Sequence, residues 1–294
     1  MAEAPAPPAP ALLLVDKPAG PTSHDIVAAA RRRLPRGTKV GHSGTLDPFA
    51  TGLLVLMVGR ATRLAPFLTG LDKTYLATVR TGFTSRSGDT EGPIEPAGPP
   101  ASAEEVAAVL PGFVGRVRQR VPALSAVKVE GERLYAKVRR GEDVTDLPER
   151  DVAIHALRLV DDLGDGDFRL EVHCGSGTYV RRLASDIGES LGTGAYCTAL
   201  RRTAVGVLSV DDAIAPDEVS LDAAVDPLRA LGHMARRDLD PAEAADVLHG
   251  RAVPAADAGA DGGPVAMVAD GRLIAVGAAD GGALRPSVVI GSPR

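Results

Sequence analysis

The chain has 294 residues, is 45% hydrophobic and carries a formal net charge of −5. Such a length can bury one large core or a core plus a satellite domain, and no apolar run approaches what a bilayer-spanning helix needs. Its two cysteines, Cys174 and Cys197, form no metal-ligand or redox spacing, which excludes a disulfide framework as the organising principle. The composition predicts a soluble globular protein with the cytoplasm as its default compartment.

Residues 1–11 are almost entirely Ala, Pro and Glu and show neither the basic start nor the apolar run of a secretion signal; they are expected to be a disordered tail. Leu12 to Asp16 then reads as a short strand running into Lys17-Pro18-Ala19-Gly20-Pro21. Ser23 is placed to cap a helix that carries Ile26, Val27, Ala30 and Leu34 on one face. Alternation of Tyr75, Ala77 and Val79 with Leu76, Thr78 and Arg80 predicts a strand with Tyr75 near its start. Ser102 and Glu105 form a capping box ahead of Val106, Val109 and Leu110. Next, Arg116, Arg118 and Arg120 share one strand face, with Val117, Gln119 and Val121 on the other. Phe168, Leu170, Val172 and Cys174 alternate, and Gly175-Ser176-Gly177 turns the chain into a helix bearing Val180, Leu183, Ile187 and Leu191.

After about residue 225 the chain becomes rich in Ala, Asp and Gly. A helix is expected over residues 241–248, and residues 264–269 and 272–276 flank an Asp270-Gly271 turn that reads as a hairpin. Strands and helices mix without a regular βαβ rhythm, so the expected class is α+β with a mixed or antiparallel sheet. Gly175-Ser176-Gly177 lacks the further glycine of a dinucleotide fingerprint, and no GxxxxGK[ST] loop occurs. No nucleotide cofactor is indicated.

Charge is unevenly distributed. Residues 1–210 hold 26 Lys+Arg and 24 Asp+Glu, whereas residues 211–294 hold 7 and 14. The basic residues cluster at Arg31-Arg32-Arg33, Arg36 and Lys39, at Arg116, Arg118 and Arg120, at Arg139-Arg140, and at Arg181-Arg182 and Arg201-Arg202. One such cluster is ordinarily a solvated face; several on a near-neutral body make phosphate contact a reasonable expectation.

The segment Val40-Gly41-His42-Ser43-Gly44-Thr45-Leu46-Asp47-Pro48-Phe49-Ala50-Thr51-Gly52 sets one carboxylate, Asp47, among glycines that leave the backbone bare. Pro48 pushes residue 47 toward an extended conformation. By local pattern alone this is a turn signal as much as a reactive loop. Tyr75 and Tyr179 both sit beside cations and turn residues, which suits a packing ring with a wet hydroxyl equally well. Arg181 reads either as a surface charge or as a cation that holds a buried carboxylate ionised.

Six segments stand in order over nearly 190 residues: Asp16 to Ser23, Gly41 to Gly52, Asp72-Lys73-Thr74-Tyr75, Ser125-Ala126-Val127-Lys128, Gly177-Thr178-Tyr179-Val180-Arg181 and Leu200-Arg201-Arg202. Together and in this order they resemble the bacterial tRNA pseudouridine synthases of the TruB type, which isomerise uridine 55 in the T arm. The Asp47 segment is the most specific. One departure lies at Val121 and Leu124, where the family tends to show a second proline and an aromatic residue.

The resemblance implies a pseudouridine synthase fold with a central mixed, mostly antiparallel sheet flanked by helices. A catalytic domain is expected over residues 12–228 and a small β-rich, shortened PUA-like module over residues 229–294. It implies Asp47 as the catalytic carboxylate, acting at C1′ either by attack or by removing a 2′ proton, with Arg181 as the cation that keeps it ionised. Tyr75 corresponds to the family tyrosine against the target base, with a catalytic role implied for its phenol in taking up the C5 proton, and Tyr179 and Leu200 to residues lining the uracil pocket. His42 corresponds to the residue that fills the space left by the flipped base, and Lys17 and Pro18 to loop support. The implied partner is the tRNA T-arm stem-loop, with no metal, no cofactor, no membrane and no guide RNA. The guide-RNA enzymes that share the Asp motif bring a fuller PUA domain and often a lysine-rich tail, so a stand-alone monomer is expected.

Two other classes compete. A non-catalytic RNA-binding protein would share the basic clusters but has no need of Asp47, Tyr75 and Arg181 together. A glycoside hydrolase would need a second acid and an aromatic groove, and the chain has no Trp.

Overall fold

The computed structural model describes residues 8–122, 128–129, 132–133, 140, 147–256, 258–259 and 262–292. Residues 1–7 of the expected tail, Leu124, Ser125-Ala126-Val127 of the fourth motif, and Arg139 lie outside the described residues. No helix among the described residues is long and apolar enough to cross a membrane. The chain divides into two compact units, one of residues 1–48, 52–71 and 204–294 and the other of residues 49–51 and 72–203.

In the first unit the Ala11–Lys17 strand begins one residue earlier than its apolar run predicts, because buried Ala11 pairs with Val58. It runs antiparallel to Thr51–Val58, with which Val40–His42 is also antiparallel. The run Leu53 to Val58 is buried on both faces, as a continuous apolar strand should be. The following helix is Ser23–Arg33, and its cap is Thr22 rather than Ser23. Thr22 and Asp25 complete the capping box, which frees Ser23 to turn inward as the first helical residue.

The C-terminal strands form a five-stranded sheet in the order Ala235–Asp238, Pro264–Ala269, Arg272–Asp280, Ala283–Val289 and Val253–Pro254. Only the first pair of that sheet is parallel. The helix Pro241–Leu248 and the hairpin turn at Asp270-Gly271 fall where the sequence places them. This sheet is not isolated from the earlier strands. Ala266, Leu273, Val276 and Ile290 share one core with Leu12, Leu14, Leu53, Val55 and Met57. Arg60 and Arg63 add hydrogen bonds to the carbonyls of Gly291 and Val289, at 2.5 and 2.6 Å.

In the second unit, Lys73–Thr81, Asp167–Cys174, Glu149–Gly164 and Gly115–Arg120 run antiparallel in that order. Ala195–Val205 lies on the other side of Lys73–Thr81. Tyr75, Ala77 and Val79 face inward with Phe168, Leu170 and Val172, following the alternation read from the sequence. The amphipathic helix Val180–Leu191 buries Val180, Leu183, Ala184 and Ile187 and packs against the Lys73–Thr81 strand. Arg116, Arg118 and Arg120 are all exposed on one face of their strand, with Gln119 buried on the other. The class is α+β with predominantly antiparallel strands, as expected.

Candidate active site

The expected site residues fall into two groups, one in each unit: Lys17, Pro18, His42 and Asp47 in the first, and Tyr75, Tyr179, Arg181 and Leu200 in the second.

In the first unit, a chain of local anchors fixes the loop around Asp47, itself a half-buried residue. Lys17 is fully buried, and its Nζ donates to the carbonyls of Pro18 and Pro21 at 2.8 Å and of Pro48 at 3.1 Å. The Gly20 N–H also donates to the Pro48 carbonyl, at 2.8 Å. These bonds tie the strand end carrying Lys17 and Pro18 to the residue that follows Asp47. On the other side, the buried Ser23 hydroxyl accepts from Leu46 N–H at 2.8 Å and donates to the Leu46 carbonyl at 3.0 Å. Asp47 thus sits between two backbone units held from both sides. His42, half-buried, accepts a hydrogen bond from Gly44 N–H at its Nδ1, at 3.3 Å.

Ser23 is a site residue that its sequence context hides. Its place at a helix start reads as a cap, and only the fold shows Thr22 doing the capping. Ser23→Ala would leave the Leu46 N–H and carbonyl without this partner in a buried position, at about 1–3 kcal/mol for each. Chemical denaturation should show a lower unfolding midpoint with an unchanged slope; an unaltered midpoint would mean that the hydroxyl does not anchor the loop.

In the second unit Arg181, nearly fully buried, lies in the first turn of its helix. It donates from one terminal nitrogen to Asp89 Oδ2 at 2.8 Å and to the Ser87 carbonyl at 3.0 Å. The other oxygen of Asp89 accepts from Ser87 Oγ at 2.5 Å and from Glu91 N–H at 2.9 Å. Burying two opposite charges is tolerable because each has hydrogen-bond partners. Gly88, at φ +75°, lets the turn approach the helix: a Cβ there would lie 3.2 Å from the Arg181 carbonyl oxygen. Asp89 is the second residue that sequence reasoning missed. It stands in a polar run, Ser85 to Thr90, that carries no motif, and the one available signal was the need of an inward-turned Arg181 for an acid.

Tyr179 caps the same helix, and its backbone N–H and carbonyl are both bound by the buried Gln119 amide, at 3.0 and 3.3 Å. The Arg150 guanidinium lies over its ring, 5.4 Å from the centroid. Tyr75 is buried opposite Val172, and Leu200 is buried in the Ala195–Val205 strand, its carbonyl receiving Thr51 Oγ1 at 3.4 Å. Near Tyr75, burial pulls the Lys73 ammonium down to about 8, helped by the charge of buried Arg202. Burial pushes the neighbouring Cys174 thiol up to about 11, keeping it protonated and unreactive at neutral pH.

The amino-acid sequence matches the TruB family pseudouridylate synthase N-terminal domain over residues 31–180. It also matches the C-terminal domain of tRNA pseudouridylate synthase B over residues 181–245 and that of tRNA pseudouridine synthase II over residues 234–291. The chain belongs to the TruB family of pseudouridylate synthases. Relatives named tRNA pseudouridine synthase B include one from Synechococcus sp. (strain WH7803), 44% identical over 94% of this chain and 96% of that protein. Another, from Arthrobacter sp. (strain FB24), is 42% identical over 95% of both chains. A third, from Mycobacterium sp. (strain KMS), is 43% identical over 96% of both. Among solved structures, a chain in the crystal structure of a Cbf5-Nop10-Gar1 complex has a TM-score of 0.74 and 26% identity, covering 96% of this chain and 85% of that one. As a TruB family member the chain is an isomerase that converts uridine to pseudouridine.

Proposed function

We propose that this enzyme isomerises uridine 55 in the T arm of tRNA, with Asp47 as the catalytic carboxylate. The observation that carries the proposal is the Asp47 loop: an acid at a family-specific position, clamped at Leu46 by Ser23 and at Pro48 by Lys17. Support for tRNA as the substrate comes from the relatives named tRNA pseudouridine synthase B, which match the chain nearly end to end.

The reaction breaks the C1′–N1 bond, rotates the uracil, joins C5 to C1′ and moves the C5 proton, with no change in atom count. It needs an anion beside C1′, as a retaining glycosidase does. Asp47 supplies that carboxylate, and Arg181 is the cation that keeps a carboxylate ionised against the cost of burial. The target base must leave its stack, at roughly a few kcal/mol; His42 fills the vacated space, while Tyr75, Tyr179 and Leu200 hold the uracil. Tyr75 also helps take up the C5 proton through its phenol.

Pseudouridine mapping in tRNA incubated with the pure protein should show one new site, at position 55. Modification elsewhere, or none, would refute the assignment. Tyr75→Phe should slow pseudouridine formation by about 100-fold, the low end of general acid–base effects, with tRNA affinity preserved. A normal rate would confine the ring to stacking.

A further inference from the structure

The rings of His24 and His42 meet edge to face, with centroids 5.4 Å apart and planes at 86°. His24 is the exposed second residue of the Ser23–Arg33 helix. Helix energetics give little reason for a histidine there: imidazole is a middling helix former, and the capping box is already completed by Thr22 and Asp25. The contact with His42 does give one. Edge-to-face geometry is the arrangement that aromatic quadrupoles favour.

The adjacent Ser23 fixes where His24 stands. Its two hydrogen bonds to Leu46 lock the helix start to the loop, so the neighbouring side chain is brought to a set point against the loop's other end. Consecutive residues of one helical turn thereby hold both ends of the segment from His42 to Leu46 that leads into Asp47. The His42 ring is constrained on separate sides, by Gly44 N–H at Nδ1 and by the His24 ring. A side chain that must fill the space of a departing base gains from such preorganisation, because less freedom is lost when it acts.

We propose that His24 is a positioning residue for His42, fixing the imidazole in the orientation that supports the flipped uridine. The proposal rests on the role of His42 given above. The test is a double-mutant cycle on the full-length enzyme with His24→Ala, His42→Ala and both, read as single-turnover pseudouridine formation on tRNA, beside the tRNA Kd and a thermal melt. Aromatic pair energies correspond to a slowing of about 2- to 10-fold for His24→Ala, with Kd changed less than about 2-fold. In the His42→Ala background the same change should have almost no effect. His24→Phe, which keeps a ring edge and loses the imidazole nitrogens, should restore most of the rate.

Three results would overturn the proposal. A wild-type rate for His24→Ala would show that the ring contact is idle. An undiminished effect of His24→Ala in the His42→Ala background would place His24 on the RNA or on folding instead of on His42. An unchanged rate for His42→Ala alone would remove the role of His42 itself, a failure distinguishable from the other two because it needs no His24 variant.

Discussion

Asp47→Asn is expected to abolish tritium release from tRNA labelled at uracil C5, by at least about ten-thousandfold, the scale on which loss of an essential catalytic group acts. The substitution is nearly isosteric. The anchors of the loop are backbone bonds made by Lys17 to Pro48 and by Ser23 to Leu46, and none of these requires the Asp47 side chain. The loop should therefore keep its shape and tRNA should bind with an affinity close to that of the wild type. Asparagine can neither attack C1′ nor remove a 2′ proton, so both chemical routes close together. Full activity in the variant would end the assignment of Asp47. Loss of tRNA binding in parallel would show instead that the residue positions RNA.

Asp89→Ala should be strongly destabilising. It strips the buried Arg181 guanidinium of a carboxylate at 2.8 Å and leaves Ser87 Oγ and Glu91 N–H without that acceptor. Removing one partner of a buried ion pair costs about 3–5 kcal/mol, because the remaining charge stays in a poor solvent. Denaturant unfolding should record that loss together with a collapse of pseudouridine formation. Adding Arg181→Met should restore much of the stability, since an apolar side chain asks for no counter-charge, but should leave the enzyme inactive. Recovery of activity in the double variant would show that the Arg181–Asp89 pair serves the fold alone. A wild-type unfolding curve for Asp89→Ala would mean the pair contributes little to either.

Much of the fold was legible in residue order. The inward faces of Tyr75, Ala77 and Val79 and of Phe168, Leu170 and Val172 follow from period-two alternation, and the Ser102–Glu105 capping box from its spacing. These are local properties, set by how adjacent side chains leave a strand or a helix turn. Thr22 displaced Ser23 as the cap for a reason equally physical but not local. Both hydroxyls can cap, and the choice depends on Leu46, 23 residues from Ser23, whose backbone takes the Ser23 hydroxyl. The C-terminal strands read as a β-rich module of their own, yet three of their apolar residues, with Ile290 just beyond the last strand, complete a core begun by Leu12 and Leu53, because an alternating strand states which face is apolar but not what will cover it.

By itself, then, the sequence determined the family, the position of the Asp47 loop and the class of reaction, all carried by contiguous motifs whose spacing survives without a fold. Tertiary structure alone decided what holds those motifs. It assigned Asp89 to Arg181 across 92 residues, Ser23 to the backbone before Asp47, and His24 to His42. A motif can name a charged or aromatic side chain, but burial decides which partner it must find, and that partner is fixed only when distant segments pack.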